Sequence, residues 1–161
     1  MNMKQCSYAL LALLFSGAAM AADALSDGQV LYLPVYSHIW YGDRTGNIKH
    51  PEKTLLSVLV SIRNTSLKMP IRILSARYFS TEGKLLNEYL AHPTTINAMG
   101  TLELFVERKE LKGGSGANFV IQWDAVSPTN PPLVEAVHVD IREGSRALTF
   151  MTSAHPIQAD K

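Results

Sequence analysis

Leu56-Ser57-Val58-Leu59-Val60-Ser61-Ile62-Arg63 decides the fold class. Leu56, Val58, Val60 and Ile62 alternate with Ser57, Ser61 and Arg63, the period of two that half-buries a β-strand. The same period recurs downstream. Leu102, Leu104 and Val106 oppose Thr101, Glu103 and Glu107, while Phe119, Ile121 and Trp123 oppose Asn118, Gln122 and Asp124. Val137, Val139 and Ile141 oppose His138 and Asp140, which puts the last two together on a solvated face. Leu148 and Phe150 close the series. Upstream, Pro70 to Ser80 is rich in Ile, Tyr and Phe, with Arg72 and Arg77 solvated, and Lys84 to Leu90 is a shorter candidate. Val30 to Tyr36 reads as an opening strand that Pro34 demotes to an edge or bulged position.

The punctuation fits. Thr81-Glu82-Gly83 and Glu143-Gly144-Ser145 read as tight hairpins with glycine supplying the left-handed conformation. Asn64 to Met69 is a longer connection; Asn64-Thr65-Ser66 matches a glycosylation sequon but reads as a turn after a strand. Ser127 to Pro132 is expected to be irregular, and Ser153 to Lys161 to be a polar tail. No stretch sustains a helical period. Seven or eight short strands predict an all-β, antiparallel β-sandwich of immunoglobulin or fibronectin III type, with a small β-barrel as the alternative.

The first residues concern location. Met1 to Gln5 carries Lys4 and no acid, Tyr8 to Phe15 is a short apolar run, and Ala19-Met20-Ala21 supplies an A-x-A cleavage site. The run is too short to span a bilayer, which takes ~20 apolar residues. The reading is a Sec-type signal peptide over residues 1–21 and one domain over 22–161, exported to a bacterial periplasm. The sole cysteine, Cys6, lies in that leader, so the mature chain forms no disulfide and no cysteine-ligated metal site. The whole chain has 15 basic and 14 acidic residues, and losing Lys4 leaves them equal. No basic stripe points to nucleic acid, and the mature chain has no second apolar run of membrane-spanning length.

Three segments carry a family resemblance. Val35-Tyr36-Ser37-His38-Ile39-Trp40-Tyr41-Gly42-Asp43 and Gly113-Gly114-Ser115-Gly116-Ala117-Asn118-Phe119-Val120-Ile121-Gln122-Trp123 are the unusual ones, with Ser61-Ile62-Arg63-Asn64-Thr65 between them. With these the chain resembles the bacterial family called domain of unknown function 3124, from about Val30 to Phe150. The resemblance implies a domain and brings no activity, ligand or catalytic residue with it. Some relatives are lipoproteins; this chain lacks a lipobox, so the resemblance does not extend to tethering.

The aromatic segment is the first candidate site: Tyr36, His38, Trp40 and Tyr41, with Asp43 as an acceptor beside Gly42 and Arg44. Trp and Tyr present large rigid faces with a polar handle, as binding surfaces favour. The competing reading has Tyr36 and Trp40 plug one end of the sandwich. The second candidate is the glycine loop, Lys112, Gly113, Gly114, Ser115 and Gly116, extending to Asn118. Its amides could form an anion nest, but a Walker loop needs Lys-Ser/Thr and a helix, and this loop runs into a strand. The plainer reading is a connection in which glycines permit positive φ or close backbone approach.

Enzymatic and metal motifs are missing. The five histidines, His38, His50, His92, His138 and His155, show no ligand spacing, and His138 with Asp140 makes only two ligands. Ser115 lies in G-G-S-G-A rather than G-x-S-x-G, leaving a Ser115–His138–Asp triad to long-range folding alone. The sequence therefore points to a non-enzymatic periplasmic binding or assembly module that takes a protein or glycan partner and no cofactor. A small-ligand or metal-binding protein using His38 and Asp43 is the alternative, and a hydrolase the less favoured one.

Overall fold

The structure, a computed structural model, describes residues 24–43, 51–141 and 147–158. The leader with Cys6, Arg44, His50 and the Glu143-Gly144-Ser145 turn lie outside the described residues. Among the described residues there are twelve strands and no helix. In chain order they are β1 (Ser26–Pro34), β2 (His38–Tyr41), β3 (Glu52–Leu55), β4 (Ser57–Arg63), β5 (Ile71–Phe79) and β6 (Leu85–Glu88). There follow β7 (Thr94–Ile96), β8 (Thr101–Val106), β9 (Asn118–Thr129), β10 (Leu133–Asp140), β11 (Leu148–Ser153) and β12 (His155–Ile157).

One sheet runs β12-β1-β9-β5-β6, with β7 also on β5; the other runs β11-β10-β4-β8; β2 and β3 form a separate hairpin. Every pairing is antiparallel. Leu31, Leu33, Ile73, Phe119, Ile121 and Trp123 of the first sheet share one buried cluster with Val58, Val60, Ile62, Val106, Val134 and Ala136 of the second. That is a β-sandwich, and the sheets do not close into a barrel. Its inner faces are the apolar sets whose period of two is visible in β4, β8 and β9.

Four expectations are corrected. β1 lies between β9 and β12 rather than at an edge; Pro34 is its last residue, beyond Val30 to Tyr32 where β12 pairs, so its missing N–H disrupts nothing. β9 continues through Ser127, Pro128 and Thr129, tolerated because the ladder skips between the Gly28–Asp124 and Ser26–Thr129 pairs and the segment bulges outward. The chain after Ser153 is no free tail at first: β11 pairs with β10, then β12 crosses to β1, so one segment straps both sheets along one side. Pro156 is tolerated there because β12 is an edge strand.

The fourth correction concerns β10. Val134, Ala136, His138 and Asp140 face inward, whereas Leu133, Val137 and Val139 face out. His138 is fully buried. The register explains the inversion: Val134 opposite Ile62 and Ala136 opposite Val60 fix the inward phase, and the period of two carries His138 and Asp140 with them.

The Asn64 segment is the turn expected of it. Asn64 is buried, and its Oδ1 accepts the Ser66 N–H at 2.9 Å. Gly83 takes the positive φ, 76°, that the β5–β6 hairpin requires.

Candidate functional site

The structure splits the aromatic segment into an anchored half and a displayed half. Val35 and Ser37 are fully buried and His38 nearly so, whereas Trp40 is 43% and Tyr41 49% exposed, with Asp43 exposed after them. The anchor is a backbone seam: the Val35 N–H donates to the Ala117 carbonyl at 2.9 Å and the Ser37 N–H to the Gly114 carbonyl at 3.0 Å. The Ser37 hydroxyl donates to the same Gly114 oxygen, and the Leu56 N–H donates to the Ser37 carbonyl. The two candidates read separately from the sequence are thus neighbours, joined through Ser37, a residue the sequence reading did not single out.

Beyond the seam, β2 and β3 pair with Trp40 opposite Lys53. The Lys53 ammonium sits 5.9 Å from the Trp40 ring centroid, and the His38 ring meets Trp40 edge-on at 5.0 Å. Burial, and then the charge of Lys53, hold His38 below the ordinary histidine range. The hairpin therefore presents a neutral imidazole behind an aromatic face, with a cation beside it.

Tyr36 faces the other way. Its ring meets His138 and Phe150 edge-on at 5.6 and 5.7 Å, and His138 stacks flat on Phe150 at 4.4 Å. The Tyr36 N–H donates to His138 Nε2 at 3.1 Å. That nitrogen is the one a general base would offer to a serine, so the bond argues against the Ser115–His138 pairing. The bond also fixes the proton of neutral His138 on Nδ1, which has no partner in hydrogen-bond geometry. Burial drives the His138 pKa down to about 4, against a weaker pull from the carbonyls of Phe150 and Ala136. Asp140, on the same inner face, is paired with Arg108 at 3.1 Å.

The glycine loop is organised around an internal carboxylate. Glu110 accepts the N–H groups of Lys112 (2.6 Å) and Gly113 (3.0 Å) and the hydroxyl of Tyr78 (2.8 Å). The Gly116 N–H donates to Thr81 Oγ1 at 2.9 Å, and the Thr81 N–H donates to the Gly113 carbonyl. The Lys112, Gly113 and Gly116 amides that an external anion would need are already engaged, and a carboxylate occupies the centre of the loop, so this geometry does not favour a phosphate cradle. Burial first, then the bond to Glu110, pushes the Tyr78 hydroxyl far up, keeping it a donor. Ser115 is half-buried, Lys112 exposed and Asn118 half-buried at the start of β9. Gly114 has a φ of 82°, and a side chain at Gly113 would collide with the Tyr78 hydroxyl. Gly113→Ala is therefore expected to cost about 2 kcal/mol, read as a lower urea midpoint, while Ser115→Ala stays within about 0.5 kcal/mol of the parent.

Among the described residues, no three His, Cys, Asp or Glu side chains gather at metal-binding distance, and no helix is long and apolar enough to cross a membrane.

The family model described as "Protein of unknown function (DUF3124)" matches residues 28–157, nearly the whole described fold. The chain belongs to the DUF3124 family. No curated protein matches it. Among solved structures it is similar to one described as "Crystal Structure of Thermotoga maritima 1070", at 13% identity and a TM-score of 0.43, covering 79% of this chain and 92% of that one. In this family member the matched region runs through both candidate segments, the β2–β3 hairpin and the glycine loop that backs it.

Proposed function

We propose that this DUF3124 protein is a non-enzymatic binding module of the periplasm, exported by its leader, whose contact surface is the β2–β3 hairpin. One observation carries the reading: Trp40 and Tyr41 stand about half exposed at a hairpin whose base is bonded into the core. Aromatic side chains lose little conformational entropy on binding and bury much area, so a rigidly mounted pair is an efficient anchor for a protein or glycan partner. Lys53 beside Trp40 adds a donor for carbonyl or carboxylate groups of that partner. Tyr36 and Ser37 act as mounting groups, with Tyr36 held to β10 through His138.

The test is in-cell photo-crosslinking with the reactive residue at position 40 and a control at exposed Lys68, in the connection past the far end of β4. A discrete adduct at 40 and none at 68 is the expected result. With the position-40 variant folded and exported, absence of any adduct would overturn the reading. Trp40→Ala is expected to leave the melting temperature within ~3 °C and to weaken capture of that partner about tenfold or more.

A further inference from the structure

The outer face of the β11-β10-β4-β8 sheet carries an apolar row that no other described strand covers. Cross-strand register sets Met151 opposite Val137, Val137 opposite Leu59, and Leu59 opposite Phe105. These four residues therefore form one line across all four strands. Met151 and Phe105, at its ends, are each 55% exposed, and Leu59 is 36% exposed. Val139 lies in the next row of the same face, and Ile141 extends the alternation with most of its side chain in solvent. The inverted phase of β10 is what creates the patch: this strand buries His138 and Asp140 and turns its valines outward. A contiguous apolar patch on a sheet face marks an interaction surface, where single exposed apolar residues do not.

We propose that this face packs against the same face of a second copy of the chain, about a two-fold axis parallel to the strands and running between β10 and β4. The register shows why the face is complementary to itself. Rotation about that axis exchanges β11 with β8 and β10 with β4. Met151 then meets Phe105 of the second copy, and Val137 meets Leu59. The neighbouring row reads Ser153, Glu135, Ser61, Glu103 across the strands. In the dimer Glu103 meets Ser153, and Glu135 lies over the position of Ser61, whose side chain is buried, so no carboxylate faces another carboxylate. Glu135 is also already paired with Arg63. The arrangement keeps the strands of the two copies aligned, as stacked sheets ~10 Å apart require.

Beside the row stand Glu103 and the Arg63–Glu135 pair, which leave no excess of positive charge and so disfavour an anionic lipid surface as occupant. Four strands ~4.8 Å apart and six residues long give a plan area of roughly 350 Å². Side-chain relief raises the buried area toward ~1,000 Å² in total, the low end of specific interfaces. The dimer is accordingly concentration-dependent, with a dissociation constant of about 10–100 μM.

Sedimentation equilibrium of the purified protein, up to about half-millimolar, tests this. The wild type is expected to show monomer–dimer exchange, and Phe105→Glu and Met151→Lys each to weaken it about tenfold or more. Both positions are more than half exposed, so each variant is expected to keep the parent melting temperature at dilute concentration. Mixing the two single variants restores one native Phe105–Met151 contact and sets the new charges against each other in the second, so a heterodimer is expected. A wild type that stays monomeric throughout overturns the proposal, as does association that neither variant weakens. A monomer that instead partitions onto phospholipid vesicles through this face overturns it in favour of a lipid occupant. The hairpin crosslinking reads a different surface, so either proposal fails without the other.

Discussion

Asn64→Ala is expected to lower stability by about 3–5 kcal/mol and the melting temperature by ~10 °C. Asn64 sits just past β4 and is almost wholly buried. The two hydrogens on its Nδ2 serve three carbonyls, those of Met69 at 2.8 Å, Asn97 at 3.0 Å and Ile96 at 3.1 Å, one hydrogen being shared, while Oδ1 takes the Ser66 N–H. One amide thereby closes the β4–β5 connection and ties it to the end of β7. Alanine removes every one of these partners and leaves buried backbone groups without water, at a cost of roughly 1–3 kcal/mol for each group not rescued. Asn64→Asp separates the causes. It keeps the size and the acceptor for Ser66 but turns an anion toward three carbonyl oxygens, so it is expected to be at least as damaging as alanine. Thr65→Ala, which loses only a bond to the Pro131 carbonyl, is expected to cost about 1 kcal/mol. Equilibrium urea unfolding ranks the three. Asn64→Ala within about 1 kcal/mol of the parent would mean that solvent reaches these carbonyls in solution.

What was legible beforehand followed the strength of the local pattern. β4, β8 and β9 each have one uniformly apolar side and one mostly polar side, broken only by residues such as Leu59 and Phe105, so their period of two gives both the strand and its buried face. β10 has apolar residues on both sides: Val134 and Ala136 argue for one phase, Val137 and Val139 for the other. Only the pairing with Val60 and Ile62 of β4 decides between them, and that is a long-range fact. β12 has three residues, one a proline, so it carries no periodic signal at all. The candidate site divides in the same way. Aromatic density flagged Tyr36 to Asp43 and glycine density flagged the loop after Lys112, but a contact between Ser37 and Gly114 leaves no local trace. Glu110 was missed for a related reason. Before the fold is known an acid in a loop is a surface charge; the two amides it accepts are local, two and three residues on, but only the fold brings Tyr78 to it.

Acid is expected to remove about 3 kcal/mol of stability through His138 alone, between pH 6.5 and pH 4. The neutral ring is required twice over: it is sandwiched between sheets against Phe150, and its Nε2 accepts the Tyr36 N–H. In the unfolded chain the same imidazole takes a proton near pH 6.5, and in the fold only near 4. Across that window the unfolded state binds more protons, so stability falls with falling pH by up to about 1.4 kcal/mol per unit; it is complete above 6.5 and, for this group, loses nothing further below 4. Asp140, two residues on along the same inner face, is ion-paired with Arg108 beyond the end of β8, so its charge is already compensated. His138→Gln keeps a side-chain acceptor for Tyr36 without titrating. It is expected to be less stable than the parent at pH 7.5 and to recover about 2–3 kcal/mol of that gap at pH 4.5. Carboxylates titrating in both proteins cancel in the difference, and parallel stability curves for the two would sink the assignment. A local consequence precedes global unfolding. Protonating Nε2 sets two donors against each other at the bond that mounts the aromatic segment on β10, so hydrogen exchange at the Tyr36 amide should accelerate as pH approaches 4, relative to the intrinsic rate. The Ser37 amide, bonded to Gly114 rather than to a titrating group, should keep its protection over the same range.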